Sequence, residues 1–305
     1  MNKYILDTDI GDDIDDAFAL DLALKLGIDL VCVTTVFRNT VQRAAIAKKL
    51  LSLHGRDIPV YAGMGETLDG ENEKFPLCQW TDDLTAYMPT NSSPEEAVDA
   101  ILEAARTYGK DLRILAIGPL TNVALALRKD REAMLATGGI VMMGGDYVNH
   151  YSEWNIRCDL TAAKEVFDSG IKIVAFGHEV TSLAKLSEEE QDYAFSMHQD
   201  AAHAYLAELS RLWVKSKPPR WRIVLHDAMV VRFVAEPQFC KLQSARVAVE
   251  TAGTYTYGMT VNLTKIETNV PAAHTIEYAT DVDIREFLDY MMKKLGYQAK
   301  GGNIL

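Results

Sequence analysis

The chain has 305 residues, of which 48% are hydrophobic and 24% charged, the balance of an ordinary globular protein. Its net charge of -12 disfavours binding to nucleic-acid phosphates or to an anionic membrane surface, so a small-molecule partner is expected. The 4 cysteines show no CxxC spacing, and neither a signal peptide nor a membrane-spanning stretch is evident, so we expect a cytoplasmic protein with reduced thiols.

Strand-like and helix-like segments alternate along most of the chain. Short apolar runs, typical of buried strands, occupy residues 4–6, 30–36, 59–62, 112–117, 140–143 and 171–176. Segments with helical spacing of apolar residues, or with a good helix start, occupy residues 17–26, 41–53, 93–108, 120–127, 161–167, 188–214 and 284–295. This alternation predicts an α/β fold, with an open, mostly parallel sheet flanked by helices on both faces.

The alternation changes late in the chain. Residues 245–250 and 254–262, joined by Thr-Ala-Gly, have the pattern of a small antiparallel hairpin. The sequence shows no Pro/Ser-rich linker, low-complexity run or internal repeat. We therefore predict one domain over residues 1–305.

An acidic loop follows the first predicted strand. Residues 7–16 carry six aspartates in ten positions, between the first strand and the first helix, where open α/β sheets place their binding crevice. Carboxylates at this density repel one another unless a cation offsets them, and oxygen ligands favour Ca²⁺ or Mg²⁺ over zinc. Gly11 allows the backbone turn that points several of them inward. The alternative is a solvated charge run that caps the helix, which the position directly after an apolar strand disfavours. An EF-hand is excluded, because its central Gly and closing Glu are missing.

Further motifs follow in a fixed order. They are Asp7-Thr8-Asp9-Ile10-Gly11 with Asp15-Asp16-Ala17, then Asn39, Gly118-Pro119-Leu120-Thr121-Asn122, Met143-Gly144-Gly145, Glu153-Trp154-Asn155 with Asp159, and His226-Asp227. In this order they resemble the inosine-uridine-preferring nucleoside hydrolase family, over nearly the whole chain. The resemblance implies a Rossmann-like nucleoside hydrolase core and hydrolysis of the N-glycosidic bond of ribonucleosides.

The resemblance also implies a single Ca²⁺ at the base of the crevice. Its ligands would be Asp9, Asp16, Asp227 and the main-chain carbonyl of Ile117, a mixture of oxygens that calcium accepts readily. Asp9 would also be the general base that takes a proton from the attacking water, in a reaction with an oxocarbenium-like sugar.

The remaining implied residues contact the substrate. The ribose hydroxyls would be bound by Asp15, Asn39, Asn149, Glu153, Asn155 and Asp227. His226 would lie beside the leaving base and protonate or orient it. A structural role for this lone histidine is the alternative, and its position next to Asp227 favours the functional one.

The chain departs from the family pattern in two loops. The acidic loop is two residues longer than the common form, so Asp13 is an alternative to Asp15 as the ribose ligand. The polar loop at residues 63–76 lacks the His-Gly element that faces the base in many members. The nucleobase half of the site is therefore not recognisable, and base preference stays open. Residues 211–222, interrupted by Pro218-Pro219, are a hypothetical lid.

Two other functions are weighed against this one. Asp-x-Asp after a first strand also begins the haloacid-dehalogenase-like phosphatases, although Gly11 stands where those have Thr or Val. A catalytically silent ribose- or calcium-binding protein is the non-enzymatic alternative. Similar proteins are commonly homodimers or homotetramers, and we expect the same here.

Overall fold

The structure, a computed structural model, describes residues 2–70, 75–89, 91–264, 266 and 274–298, so the polar loop predicted at 63–76 lies partly outside the described residues. The strands are β1 (Lys3–Thr8), β2 (Leu30–Thr35), β3 (Val60–Ala62), β4 (Leu112–Ala116), β5 (Ile140–Met143), β6 (Ile173–Phe176), β7 (Lys241–Val249), β8 (Thr260–Asn262) and β9 (Thr275–Thr280).

The α-helices surround the strands. They are α1 (Asp15–Lys25), α2 (Thr40–Leu53), α3 (Glu95–Tyr108), α4 (Thr121–Lys129), α5 (Arg131–Leu135), α6 (Trp154–Cys158), α7 (Leu160–Phe167), α8 (His178–Thr181), α9 (Glu188–Ser196), α10 (Ala201–Ser216), α11 (Ala228–Ala235) and α12 (Ile284–Lys294).

The strands form a nine-stranded sheet in the order β3-β2-β1-β4-β5-β6-β9-β7-β8. Every pairing from β3 to β9 is parallel, and β7 pairs antiparallel with both β9 and β8. The predicted mostly parallel sheet with a late antiparallel hairpin is confirmed.

Both faces of the sheet are buried, as strands with near-continuous apolar sequences require. Ile5 and Leu6 are fully buried neighbours on β1, yet they belong to two different hydrophobic clusters. Ile114 and Leu115 on β4 divide in the same way. Since successive side chains of a strand point to opposite faces, one cluster covers each face of the sheet.

Two predicted elements are wrong in extent. The long helix predicted at 188–214 is divided into α9 and α10, because Met197 takes an extended conformation and Asp200 accepts a hydrogen bond from the backbone N–H of His203 as a new N-cap. The second hairpin strand begins only at Thr260, since turns occupy the preceding residues and Gly258 has a positive φ of 79°.

Five further elements have no counterpart in the prediction: the helices α5, α6, α8 and α11 and the strand β9. The last strand, β9, lies between β6 and β7 and joins the hairpin to the parallel sheet. Within the described part of the chain, no helix combines the length and the apolar character needed to cross a membrane.

Candidate active site

A cavity of about 480 Å³ lies where the parallel strands end at their carboxyl edge. Its lining comes from the loops and turns that follow β1, β2, β4, β5 and β6 and from the residues around the start of α11. The lining side chains that bear on chemistry are Asp9, Asp12, Asp13, Asp15, Asp16, Arg38, Ile117, Tyr151, Glu153, Trp154, Asn155, His178, Lys217, His226 and Asp227.

The acidic loop folds back on itself before α1 begins. Gly11 has a φ of +119°, a conformation that side chains other than glycine rarely adopt. The Thr8 hydroxyl accepts the backbone N–H of Ile10 at 3.1 Å and donates to Asp16 Oδ1 at 2.5 Å. These bonds hold Asp15 and Asp16 in the first turn of α1, where the positive end of the helix dipole favours negative charge.

Three buried carboxylates from the two ends of the chain meet in this cavity. Asp15, Asp16 and Asp227 each place an oxygen within 4.8 Å of the others. The backbone N–H of Asp227, just before α11, donates to Asp15 Oδ2 at 3.3 Å. Burial, followed by repulsion from neighbouring aspartates, raises the pKa of each of these three carboxyls well above its usual range.

Asp9 and Ile117 lie beside this carboxylate cluster on neighbouring strand ends. The backbone N–H of Ile117 donates to the Asp7 carbonyl at 2.8 Å, which fixes the two strand ends side by side. A Cβ on Gly118 would lie 2.9 Å from Asp9 Oδ1, so only glycine allows this approach. Burial raises the pKa of Asp9 to about 7, although the neighbouring Arg43 opposes the shift.

Arg43 is a buried cation that the sequence analysis did not identify. It is fully buried on α2, and it donates to the carbonyls of Asp9 and Ile10 and, at 2.7 Å, to Asp12 Oδ2. These hydrogen bonds from Arg43 therefore hold the acidic loop in place. The only sequence signal was one arginine in an otherwise apolar helix face.

Glu153 and Asn155 project from the start of α6. Glu153 caps this helix and accepts backbone N–H groups of Gly145, Asn155 and Ile156 at 3.0, 2.9 and 3.2 Å. The Asn155 amide donates to the Ile117 carbonyl at 3.1 Å and to the Met143 carbonyl at 3.2 Å. Both side chains are buried and line the cavity.

His226 lies on another wall of the cavity, with two other rings. Its Nδ1 forms a 2.9 Å hydrogen bond with the Thr181 hydroxyl of α8. Its ring is stacked 6.0 Å from that of His178, which in turn is stacked 4.1 Å from Tyr151. Burial, and to a lesser extent His178, lowers the pKa of His226 to about 4.

Two predicted ribose ligands do not line the cavity. Asn39 occupies the N-cap position of α2, where its amide donates to the Phe75 carbonyl at 2.5 Å, and it lines a neighbouring surface depression. Asn149 is exposed, and both its backbone and its amide donate to Asp146, at 2.6 and 3.2 Å. Asp13 lines the cavity but is exposed, whereas Asp15 is buried within the carboxylate cluster.

The donors present fit a hard divalent cation. All are oxygens, and three are buried carboxylates that share little compensating positive charge. Calcium accepts such mixtures of carboxylate and carbonyl oxygens, while zinc prefers nitrogen and sulfur. An α/β fold with a buried carboxylate cluster that could hold a cation, at the carboxyl edge of its sheet, defines a class of proteins that bind small polar ligands at this edge.

Comparison with known proteins supplies the family. A sequence model described as inosine-uridine preferring nucleoside hydrolase matches residues 4–289. The chain is 31% identical over 296 residues to the non-specific ribonucleoside hydrolase RihC of Klebsiella pneumoniae, covering 93% of this chain and 94% of that protein. It is 30% identical over 318 residues to the pyrimidine-specific ribonucleoside hydrolase RihA of Photobacterium profundum, covering 95% and 97%.

Solved structures agree with this match. A plant nucleoside hydrolase superposes with a TM-score of 0.83 at 25% identity, covering 97% of this chain and 99% of that one. A purine-preferring ribonucleoside hydrolase from Gardnerella vaginalis gives 0.79 at 27% identity, with 96% and 98% coverage. The chain belongs to the inosine-uridine preferring nucleoside hydrolase family. The predicted family and enzyme class, a hydrolase of the N-glycosidic bond of ribonucleosides, are confirmed, and the phosphatase alternative is thereby excluded.

Proposed function

We propose that this nucleoside hydrolase depends on Ca²⁺ held by Asp9, Asp16, Asp227 and the Ile117 carbonyl. The observation that carries the proposal is the meeting of Asp16 and Asp227 with Asp15, oxygens within 4.8 Å, although 211 residues of chain separate the first two. Buried carboxylates that close are stable together only with a compensating cation or with bound protons. Asp15 is part of the same cluster, and we assign it to binding the ribose hydroxyls.

The chain's own residues carry the rest of the mechanism. When bound, calcium supplies a fixed positive charge that orients oxygen ligands and makes an adjacent water easier to deprotonate. Asp9, on the floor of the cavity, accepts the proton of the water that attacks C1′. The nearby carboxylates stabilise the positive charge that develops on the sugar ring.

The ribose half of the cavity is assigned to the residues around α6. Glu153 and Asn155 are buried at the cavity wall with oxygens already oriented by backbone and amide hydrogen bonds, so they are preorganised to bind ribose hydroxyls. Asp15 and Asp227, which line the same cavity, would contribute further ribose contacts. Asn39 and Asn149 stay predictions from the sequence, since neither lines this cavity.

His226 is assigned to the leaving base. The hydrogen bond between its Nδ1 and the Thr181 hydroxyl fixes the ring, so Nε2 is the nitrogen that can form a hydrogen bond with a substrate. The relatives named above differ in base preference, being described as non-specific, pyrimidine-specific and purine-preferring. For this chain, the base half of the cavity has to be mapped by assay.

The experiment measures ribose release from a panel of purine and pyrimidine ribonucleosides, with Ca²⁺ and with a chelator. We expect release with Ca²⁺, loss with the chelator and recovery on adding Ca²⁺ back. Asp9→Asn is expected to lower kcat by about 10²–10⁴-fold, the usual contribution of a general base. Release that is indifferent to the chelator would remove the calcium assignment, and no release from any nucleoside would favour the silent binding protein.

We also propose that the enzyme acts in the cytoplasm as a homodimer or homotetramer. All four cysteines are free thiols, which suits a reducing compartment. The oligomeric state rests on the resemblance to the family. Sedimentation equilibrium at several protein concentrations would test it, and a monomer at micromolar concentration would contradict it.

A further inference from the structure

Three aromatic rings form a continuous stack on one wall of the cavity. Tyr151 and His178 have ring centroids 4.1 Å apart with planes at 24°, and His178 and His226 have centroids 6.0 Å apart with planes at 21°. Tyr151 belongs to the loop after β5, His178 begins α8 directly after β6, and His226 precedes α11. All three line the cavity, so the tertiary fold brings a second imidazole to the wall that carries His226.

The surroundings of His178 hold its ring in place. Its backbone N–H donates to the Gly145 carbonyl at 2.8 Å, which anchors the start of α8 to the end of β5. Tyr151 stacks on His178 from one loop and His226 from another. The nearest carboxylate is the buried Asp146, whose Oδ2 lies 3.8 Å from Nδ1, longer than a hydrogen bond.

The hydrogen-bonding capacity of His178 is unused within the described residues, where neither ring nitrogen has a partner at hydrogen-bond distance. Two other histidines have hydrogen-bond partners. His54 Nε2 lies 2.8 Å from Asp21 Oδ1, and His198 Nδ1 lies 2.8 Å from the Ser196 carbonyl. His178 is instead held by stacking, with about a third of its side chain (32%) exposed toward the cavity.

A departing nucleobase can form a hydrogen bond with an imidazole placed as that of His178 is. When the C1′–N bond breaks, the electron pair passes to the base, and its negative charge spreads over several ring nitrogens and exocyclic oxygens. Since Nδ1 of His226 is engaged with Thr181, that histidine offers one nitrogen to the base. A second imidazole on the same wall offers another, and two contacts orient a planar base where one does not.

We propose that His178 is a second leaving-group residue, which binds the departing base beside His226 and donates the proton that the base takes up. This inference rests on the proposed function. In the balanced step, the C1′–N bond breaks with its electrons going to the base nitrogen, which gains a proton from His178. The water oxygen bonds to C1′ and its proton passes to Asp9. Exchange of these two protons with solvent completes the addition of one water.

The test compares substrates that do and do not need a proton on the leaving group. Purine and pyrimidine ribonucleosides need one, whereas 4-nitrophenyl β-ribofuranoside releases a stable phenolate. His178→Phe keeps an aromatic ring in the stack but cannot form the hydrogen bonds. We expect it to lower kcat on nucleosides by about 10–10²-fold, part of the 10²–10⁴-fold that general acid catalysis supplies, and to change the nitrophenyl substrate by less than about threefold.

Matched variants separate this role from a structural one. His178→Gln keeps a hydrogen-bond donor and is expected to recover part of the nucleoside activity, and it provides the measurement if the phenylalanine variant does not fold. His150→Phe, an exposed histidine in the loop that carries Tyr151, is the control and is expected to behave like the wild type.

The outcomes are distinct. Equal losses of activity on both kinds of substrate, or no loss on either, would overturn the assignment of His178. A wild-type enzyme that cleaves neither nucleosides nor the nitrophenyl riboside would instead overturn the proposed function, whatever the variants do.

Discussion

At the residue scale, the site is governed by how buried carboxylates are compensated. Asp15, Asp16 and Asp227 are each nearly fully buried beside other aspartates, so burial and neighbouring negative charge both oppose their ionisation. Arg43, the nearby buried cation, is already engaged by Asp9, Ile10 and Asp12. Binding of a divalent cation would therefore relieve the repulsion among these carboxylates.

Asp16→Asn tests this repulsion. With a chelator present, the variant is expected to unfold at the same temperature as the wild type or higher, because one buried charge has gone. With saturating Ca²⁺, the wild type gains about 2.7 kcal/mol at a hundredfold excess over Kd, and the variant gains much less. Thermal unfolding with and without Ca²⁺ measures both, with the exposed Asp99→Asn as control. If Ca²⁺ stabilised the wild type and Asp16→Asn equally, the ligand role of Asp16 would be contradicted.

A further acid at the edge of the site, Glu179, makes stability depend on pH. Burial, followed by repulsion from Asp146, raises the pKa of Glu179 to about 7. Below its ordinary pKa, near 4.5, the carboxyl is protonated in both states. Between that value and 7 the folded state keeps a proton that the unfolded state loses, so the wild type loses stability as pH rises through this window.

Glu179→Gln removes this pH dependence. The free energy of unfolding of the variant minus that of the wild type is expected to grow by about 2 kcal/mol between pH 5 and pH 8. Urea unfolding at several pH values measures it, and the exposed Glu189→Gln controls for the loss of one negative charge. A difference that is flat with pH would show that Glu179 ionises normally in the folded protein.

At the scale of elements, the segment at residues 211–222 combines the end of α10 with a loop. Ser216 and Lys217 line the cavity, while Trp221 is half exposed. Substrate contact with this segment would restrict its motion, as expected for a lid. With Ca²⁺ and ribose bound, we expect slower tryptic cleavage after Lys215 and Arg220 than in the free enzyme. Cleavage after Lys241, which is exposed and does not line the cavity, is the internal control. Equal slowing of cleavage at all three sites would indicate general stabilisation of the protein rather than a lid.

At the scale of the whole molecule, the sheet separates two hydrophobic clusters that share its strands. Ile5 and Leu6 of one strand contribute to opposite clusters, so neither cluster can form without β1. We therefore expect the chain to unfold as the single domain predicted from its sequence. Calorimetry of the calcium-free protein is expected to give one transition with equal calorimetric and van't Hoff enthalpies for the folded unit. Two resolved transitions would contradict a single domain.

Local patterns in the sequence were sufficient for much of the fold and part of the site. Apolar runs and helical periodicity identified the first six strands and most of the flanking helices, because parallel strands buried on both faces need near-continuous apolar sequence. The acidic loop was recognisable because six aspartates directly after a buried strand require compensation. Asp15 was preferred to Asp13 from its position at the helix start, and the structure buries Asp15 while Asp13 is exposed.

Other features were decided only by tertiary structure. The break between α9 and α10 depends on the cap at Asp200, and the insertion of β9 beside β6 depends on pairing between segments about a hundred residues apart. Arg43 and His178 were missed because each is an ordinary residue in sequence. Their roles arise when loops from separate strands converge, and convergence depends on strand order, which a single sequence read locally does not contain. The sequence by itself thus determined the chemistry of the acidic loop, and the packing of the sheet decided which distant side chains share its cavity.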